Sequence, residues 1–209
     1  MWRTVSDVMP VLRSQFWLVA LAGLLLASAD CSQAAGLTPA EAKSAYLRYI
    51  AVYATWPGEP AANDHQPIVI GVVGDDPNGV ITPIRNRLES GRELLARKRP
   101  IRLLDVQLTS GEGVDLAALA SCDLIFLSEG AEEDWERIQP AVNALPILTV
   151  GEIKGFAERG GMIEYFSPRR SGKVRLKINL QTMRRAGIML SAQLLALDVV
   201  IVLDEREEV

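Results

Sequence analysis

Short, continuous apolar runs alternate with segments of helical spacing along most of this chain, and this alternation limits the folds open to it. Four runs are typical of strands, PIVIGVVG, PIRLLDVQL, CDLIFLS and PILTVGE, and the β-branched PIVIGVVG has the pattern of a buried strand. Helical segments lie between them, so the crossovers predict right-handed β-α-β units and parallel strand pairs. The sequence therefore predicts an α/β fold, a three-layer sandwich with a mixed, mostly parallel sheet.

The C-terminal third does not follow this alternation of strands and helices. Two strand-like runs, MIEYF and KVRLKIN, are separated only by SPRRSG, a turn-rich link that predicts a β-hairpin and the one antiparallel pair of the sheet. The remainder, from Leu180 to Leu203, has apolar residues at helical spacing and predicts a long terminal helix. Its apolar stripe fits either a core face or a dimer seam, and the VVIVL run at its end favours self-association.

The first helix of the folded part has a clear start. Thr38 is placed as the N-cap, Pro39 as the first helical residue and Glu41 as the partner of a capping box. Apolar residues then recur at helical spacing until Pro57.

The N-terminus reads as an export signal. A stretch with Arg3 and Arg13 precedes the uncharged apolar run FWLVALAGLLLASA, and small residues follow. A run of about 14 apolar residues is short for a membrane span, which needs about 20. We expect a cleaved signal peptide at residues 1–35, a single domain at residues 36–209 and a secreted mature protein. An uncleaved anchor and a lipoprotein attached through Cys31 are the alternatives, although Asp30 suits a lipoprotein signal poorly.

Charge and cysteine content narrow the function. The chain carries a net charge of −4, and residues 1–35 remove equal numbers of acidic and basic residues. An acidic domain does not have the basic surface of a nucleic-acid binder, so we expect no nucleic-acid partner. Without Cys31, Cys122 has no partner for a disulfide, and its place at the start of an apolar strand favours a buried structural thiol over a reactive one.

Catalytic and cofactor motifs are weak throughout. The segment GVVGDDPNG does not have the lysine and hydroxyl residue of a phosphate-binding loop, and a plain turn explains it equally well. The single histidine, His65, sits in a polar loop, and one His with one Cys gives no zinc-ligand spacing. We therefore predict a protein that is not an enzyme and binds no metal or cofactor.

Two other hypotheses stay open. Ligands of open parallel sheets bind at the carboxyl ends of strands, here near residues 74–76, 128–129 and 151–152, which would suit a small-ligand sensor. An enzyme would need a pocket that pairs two of four carboxylates, Asp75, Asp76, Glu152 and Glu164, and no spacing singles out a pair.

Two adjacent glycines stand between a short charged segment and a strand in FAERGGMIEYF. Gly160 is predicted to end a short helix, IKGFAERG, in a conformation that glycine adopts at little cost. Gly161 has no Cβ atom, which is predicted to avoid a steric clash where the next strand begins. The pair therefore indicates a packing joint and not an active-site loop.

The hairpin concentrates basic residues. In an extended strand Lys173, Arg175 and Lys177 share one face, while Val174 and its alternate neighbours share the other. This pattern fits a solvated strand face, or an exposed cationic stripe that meets an acidic partner.

Several of these segments together resemble the YfiR-like family of periplasmic regulators. The resemblance begins with KSAYLRYIAVYATWP, continues through IVIGVVGDD and LASCDLIFLS, and is most specific in LTVGEIKGFAERGGMIEYF and KVRLKINLQTMRRAGIMLSAQLLAL. It thus covers nearly all of the mature chain. The chain departs from the family pattern at Lys177, where an acidic residue is usual, and at Ser191–Ala192, where two serines are frequent.

The resemblance implies a function by binding. It implies a repressor of a membrane-bound diguanylate cyclase, which would bind the periplasmic sensor domain of the cyclase and so lower cyclic-di-GMP and biofilm formation. It also implies a homodimer and an outer-membrane lipoprotein that can sequester the regulator. The residues expected to contact the partner are in and beside the hairpin: Glu164, Phe166, Arg169, Arg170, Lys173, Arg175 and Lys177. A periplasmic small-ligand sensor without a cyclase partner is the alternative.

Overall fold

The fold is built on one sheet whose strands come mainly from the predicted apolar runs. The computed structural model describes residues 37–58, 66–108, 115–168 and 173–203. The helices of this part are α1 Pro39–Tyr53, α2 Thr82–Glu89, α3 Leu116–Ala120, α4 Glu132–Val142, α5 Leu180–Arg185 and α6 Ala192–Leu195. The strands are β1 Ala54–Thr55, β2 Ile68–Val73, β3 Leu95–Ala96, β4 Arg99–Asp105, β5 Leu124–Leu127, β6 Leu148–Gly151, β7 Ile163–Phe166, β8 Arg175–Asn179, β9 Met189–Leu190 and β10 Val200–Leu203.

Eight of the described strands form the main sheet in the order β10-β8-β7-β6-β5-β2-β4-β3. The pairs from β4 through β2, β5 and β6 to β7 are parallel, and β10 runs parallel to β8. The predicted hairpin of β7 and β8 is antiparallel. The prediction of a mixed, mostly parallel α/β sheet with a C-terminal hairpin is therefore confirmed.

The sheet has an apolar core on each face, because its central strands are buried on both sides. In β5, Phe126 joins the core under α1, whereas Ile125 and Leu127 join the core under α4. This alternation is the geometric rule for a strand, whose successive side chains point to opposite faces. Helices on both faces of the sheet agree with the predicted three-layer sandwich.

Helix α1 begins as the sequence predicts. The Glu41 backbone amide donates to Thr38 Oγ1 at 3.2 Å, and the Thr38 amide donates to the Glu41 carboxylate at 2.8 Å. This reciprocal capping box satisfies amides that would otherwise have no partner at the helix start.

The predicted long terminal helix is wrong. Helix α5 ends beside Gly187, whose φ of +70° belongs to the left-handed region. The chain then forms β9, which pairs antiparallel with β1, turns once in α6 and ends in β10. The β-branched run from Val199 onward is thus an edge strand of the main sheet and not a helix end.

The expectation that β7 and β8 form the one antiparallel pair is also wrong. Strands β3 and β4 make a second antiparallel pair at the far edge of the sheet. The turn between them holds Arg97 and Lys98 at φ values of +52° and +68°. Such turns usually contain glycine or asparagine, so the sequence ARKR gave no signal for it.

Some predictions fall outside the described residues. They concern the signal peptide, Cys31, His65, Arg169 and Arg170. Within the described ranges, no helix is long and apolar enough to cross a membrane. Residues from Leu37 onward cluster into one compact unit.

Candidate partner-binding surface

Gly161, the second glycine of the pair, packs against the ring of Phe156, and so does Gly151. A Cβ atom on Gly161 would lie 2.4 Å from two ring carbons of Phe156, and one on Gly151 would lie 2.9 Å from the same ring. On its other side the ring meets Trp135 edge to face, with 4.8 Å between centroids. The backbone at residue 161 approaches the buried ring so closely that only glycine fits there. The predicted packing joint is therefore confirmed at Gly161.

The segment before the joint differs from the prediction. Residues 154–160 form consecutive turns instead of the predicted short helix, and Gly155 has a φ of +71°. Gly160 does adopt the expected left-handed conformation, with a φ of +89°. The Arg159 carbonyl accepts a hydrogen bond from the Gln139 side chain at 2.7 Å, which ties this segment to α4.

Glu164 occupies a buried position in β7. The cross-strand register places it opposite Lys177 of β8, and its side chain is only 3% exposed. The carboxylate accepts a hydrogen bond from the Ala157 amide at 3.2 Å, and the Asn179 side chain donates to the Ala157 carbonyl at 2.9 Å. Glu164 therefore has no surface to offer a partner and instead connects the turn segment to the hairpin.

Lys177 is held from three sides. Its Nζ lies 2.7 Å from Glu158 Oε1, 3.4 Å from Glu164 Oε1 and 5.1 Å from the centroid of the Phe166 ring. Two carboxylates and an aromatic face together restrict the rotamers of a long side chain that is 23% exposed. The ammonium group is thereby fixed at the surface.

The pKa values of this cluster follow from its burial and charges. Burial raises the pKa of the Glu164 carboxyl, and the neighbouring Glu158 raises it further. Partial burial, the largest single effect, would raise the pKa of Glu158 too, but the hydrogen bonds from Lys177, Glu164 and the backbone together with the charge of Lys177 outweigh it and lower that pKa. Partial burial likewise opposes the ammonium form of Lys177, yet its carboxylate partners raise the pKa of Lys177. The lysine therefore carries its charge at neutral pH.

The predicted alternation along β8 is present. Val174, Leu176 and Ile178 are buried in the core under α1, whereas Lys173 is exposed and Arg175 and Lys177 are half-buried on the other face.

On that other face, the core under α4 takes no described residue from β7 or β8. The hairpin therefore presents Phe166, Lys173, Arg175 and Lys177 outward, and we call these four residues the cationic face. Sequence reasoning missed Glu158, because it lies 19 positions from Lys177 and no local pattern links the two.

Polar contacts within the chain lie at the carboxyl ends of the parallel strands, and one buried oxygen there, Glu152 Oε2, has no hydrogen-bond partner among the described residues. Lys43 Nζ lies 2.6 Å from Glu152 Oε1, in a pair whose carboxylate side chain is only 2% exposed. The Asn78 amide nitrogen donates to Glu129 at 2.8 Å and to Glu152 at 3.2 Å. Asp76 accepts hydrogen bonds from the amides of Val80 and Ile81, just before α2, and from that of Thr82, its first residue. These carboxylates therefore serve helix capping and ion pairing.

The surroundings of Cys122 agree with the prediction of a buried structural thiol. Burial raises the pKa of its thiol, and its Sγ donates to the Ala118 carbonyl at 3.3 Å. A Cβ on Gly71 would lie 2.7 Å from this sulfur, so the thiol packs against the β2 backbone. In the part of the chain that the structure describes, no cluster of His, Cys, Asp and Glu is arranged to hold a metal ion.

The fold and this surface define a class: an α/β domain in which a β-hairpin next to the edge strand presents charged residues outward. Residues 40–198 match the sequence model of a family described as YfiR/HmsC-like, and the chain belongs to that family. The resemblance inferred from the sequence is thus confirmed. Proteins of this family are periplasmic, regulatory and non-catalytic, and they interact with a partner protein. A comparison with curated protein sequences found no match.

Proposed function

We propose that this protein represses a membrane-bound diguanylate cyclase by binding its periplasmic sensor domain, and so lowers cyclic-di-GMP and biofilm formation. Membership of a family of periplasmic regulators supports this proposal. In this account residues 1–35 are removed on export, residues 36–209 act as one domain, and the mature protein is a homodimer. An outer-membrane lipoprotein that binds the regulator would release the cyclase.

The observation that carries the proposal is the fixed position of Lys177 beside Phe166. Ordering a flexible lysine on binding opposes association by about 0.5–1.5 kcal/mol. Here Glu158 and Glu164 hold the ammonium group before any partner arrives. A preorganised cation next to an aromatic ring, with Arg175 opposite Phe166 in the register, suits an acidic protein surface.

Repression requires a difference in affinity between two states of the sensor. A regulator that binds both conformations equally shifts nothing, so it must bind the inactive conformation more tightly. A hundredfold preference corresponds to about 2.7 kcal/mol.

The proposed contact set is the cationic face together with Arg169 and Arg170 of the connecting link. Glu164 acts by positioning Lys177. We also propose that the protein acts without catalysis and without a cofactor. The ion pair of Lys43 with Glu152 and the cap of Asp76 on α2 occupy the carboxyl ends of the strands, which does not favour the alternative of a small-ligand sensor there.

Binding can be tested with purified proteins. The regulator, purified from the periplasm, would be titrated against the periplasmic domains of inner-membrane diguanylate cyclases from the same organism. We expect one domain to bind, and Arg175→Ala and Phe166→Ala to weaken that binding by tenfold or more, which is about 1.4 kcal/mol. Arg102→Ala is the matched control, because Arg102 is an exposed arginine on β4, at the other side of the sheet.

Two results would contradict the proposal. Binding to none of the sensor domains removes the cyclase as partner. Equal losses at Arg102 and Arg175 would mean that general charge, and not the cationic face, drives the association.

A further inference from the structure

Strand β4 uses one of its two sides only at its beginning. The short strand β3 pairs antiparallel with residues 99–100, and the Ile101 amide donates to the Leu94 carbonyl at 2.7 Å. Among the described residues, no strand pairs with residues 102–105 on that side. The other side of β4 pairs with β2 over residues 101–105. The second half of β4 is therefore an open edge of the sheet.

The hydrogen bonds of β4 show which backbone groups face the open side. The Val106 amide donates to the Val72 carbonyl of β2, whereas the Ile101 amide donates away from β2. Successive residues of a strand direct their backbone groups to opposite sides, so Leu103 and Asp105 direct theirs to the open side. The edge thus offers two amides and two carbonyls in the spacing of a strand pair, which is a template for an added strand.

A groove of about 360 Å³ lies beside this edge. Three residues of α2 and three of β4 line it: Arg85, Leu88, Glu89, Ile101, Arg102 and Leu103. Leu88 and Leu103 are half-buried and pack against the core under α1. The described residues that follow β4 lie on the other face, since Val106 and Leu108 belong to the core under α4. An apolar side chain of an added strand would therefore cover Leu88 and Leu103.

The charge of this edge selects its partner. Residues 82–105 carry seven basic and three acidic side chains, whereas the whole chain has more acidic than basic ones. The carboxylate of Asp105 is already paired, because Arg85 donates to its two oxygens at 3.0 and 2.6 Å. Arg102 is exposed, and strand alternation directs it to the opposite face of the sheet from Leu103. Acidic side chains of an added strand would lie beside Arg102.

The same charge disfavours a second copy of the protein at this edge. If two copies paired through β4, the basic side chains of residues 82–105 would approach each other, and like charges destabilise a strand pair. Charged side chains on an edge strand commonly prevent such self-association. A carboxylate on another protein is attracted instead, so the edge discriminates between its own copy and an acidic segment.

We propose that the open edge of β4 binds an extended acidic segment of another protein as an added strand. Apolar side chains of that segment cover Leu88 and Leu103, and the alternate, acidic ones lie beside Arg102. In the sheet order β2, β5, β6 and β7 separate β4 from β8, so this site shares no residue with the cationic face. The proposal does not rest on the cyclase, and its failure would leave the proposed repression untouched.

Peptide titration followed by amide NMR tests the site residue by residue. The probe is a short peptide, blocked at both ends, in which glutamate and valine alternate. It should shift the amide signals of Leu103 and Asp105 most, because these amides become hydrogen-bond donors. Two control peptides should each bind about tenfold more weakly or worse. One carries lysine in place of glutamate, and the other is the acidic peptide in N-methylated form, which donates no backbone hydrogen bond.

Charge reversal gives the second test. Arg102→Glu should weaken binding of the acidic peptide about tenfold or more and strengthen that of the lysine peptide. Arg184→Glu is the matched control, because Arg184 is an exposed arginine on α5, which directly follows β8. Unshifted signals at residues 102–105 with millimolar peptide, equal binding of the N-methylated form, or equal losses in the two variants would overturn the proposal. So would binding to phosphatidylglycerol vesicles without peptide binding, which would indicate a membrane surface instead.

Discussion

Glu164 and Lys177 stand directly opposite each other in the β7–β8 pair, and their side chains meet at 3.4 Å on the face of the sheet where the core under α4 takes no described residue from either strand. One of the two is buried and the other reaches the surface. The buried carboxylate of Glu164 thus helps to fix the ammonium group of Lys177. Since Glu164 also binds the Ala157 amide, it connects the turn segment before the glycine joint to the surface that we propose as the binding site.

Removing the Glu164 carboxylate should destabilise the hairpin. Glu164→Ala leaves the buried Ala157 amide without its acceptor and removes one of the two carboxylates beside Lys177, so we expect a loss of about 1–3 kcal/mol in the free energy of unfolding. Urea denaturation measures it. Glu164→Gln retains an acceptor for the amide and should lose less, and equal losses in the two variants would contradict this role.

The same carboxyl group makes stability depend on pH. Its pKa is raised above the ordinary value of 4.5, so its stabilising contribution is present below that pH and is lost as pH rises through the folded pKa. Glu158 has a lowered pKa, so its contribution has the opposite sign and is lost as pH falls through its folded pKa.

Glu164→Gln removes the first contribution and keeps Lys177 as the partner of Glu158. Relative to wild type, the free energy of unfolding of this variant should therefore increase as pH rises above 4.5, by at most about 1.4 kcal/mol per pH unit. Urea curves at several pH values compare the two proteins. A difference that stays constant, or that decreases, would contradict the assignment.

The glycine joint predicts a steric effect that a second substitution relieves. Gly161→Ala places a Cβ against the Phe156 ring and should cost about 1–3 kcal/mol. In Phe156→Leu the ring is absent, so adding Gly161→Ala to that variant should cost much less. Unfolding free energies of the four proteins form a double-mutant cycle, and strictly additive losses would show that the clash is not with this ring.

The pair of Lys43 and Glu152 should matter far more than a surface pair. Lys43→Met leaves a nearly buried carboxylate without its cation, which typically costs about 3–5 kcal/mol. Arg85 and Asp105 form an exposed pair, so Arg85→Met should cost under about 1 kcal/mol. Thermal and urea unfolding of both variants tests the contrast, and similar losses would contradict it.

The export prediction is checked on the protein itself. Mass spectrometry of the periplasmic fraction should find a chain that begins close to residue 36. A full-length chain retained in the membrane fraction would support the uncleaved anchor instead, and a lipid-modified Cys31 would support the lipoprotein.

Sequence reasoning succeeded where local chemistry decides the structure. Thr38 and Glu41 predict their helix start because both partners lie within one turn, and the unbroken apolar runs predict buried parallel strands. The prediction of a helix after Leu180 was wrong because the strands there depend on partners that are distant in the chain. Met189 pairs with Thr55, and Val200 pairs with Leu176.

The candidate surface was predicted only in part for the same reason. Strand alternation placed Lys173, Arg175 and Lys177 on one face, as the structure shows. Alternation could not show that Glu164 is buried, because its burial depends on the turn at Ala157 and on Asn179.

The central claim is that this protein restrains a cyclase from the periplasm. The most direct measurement is cellular cyclic-di-GMP in a strain without the gene, and in the same strain supplied with the full chain or with residues 36–209 alone. The account predicts a rise on deletion that the exported full chain reverses and the form without residues 1–35 does not. An unchanged level in the deletion strain across growth conditions, or full reversal by the unexported form, would contradict it.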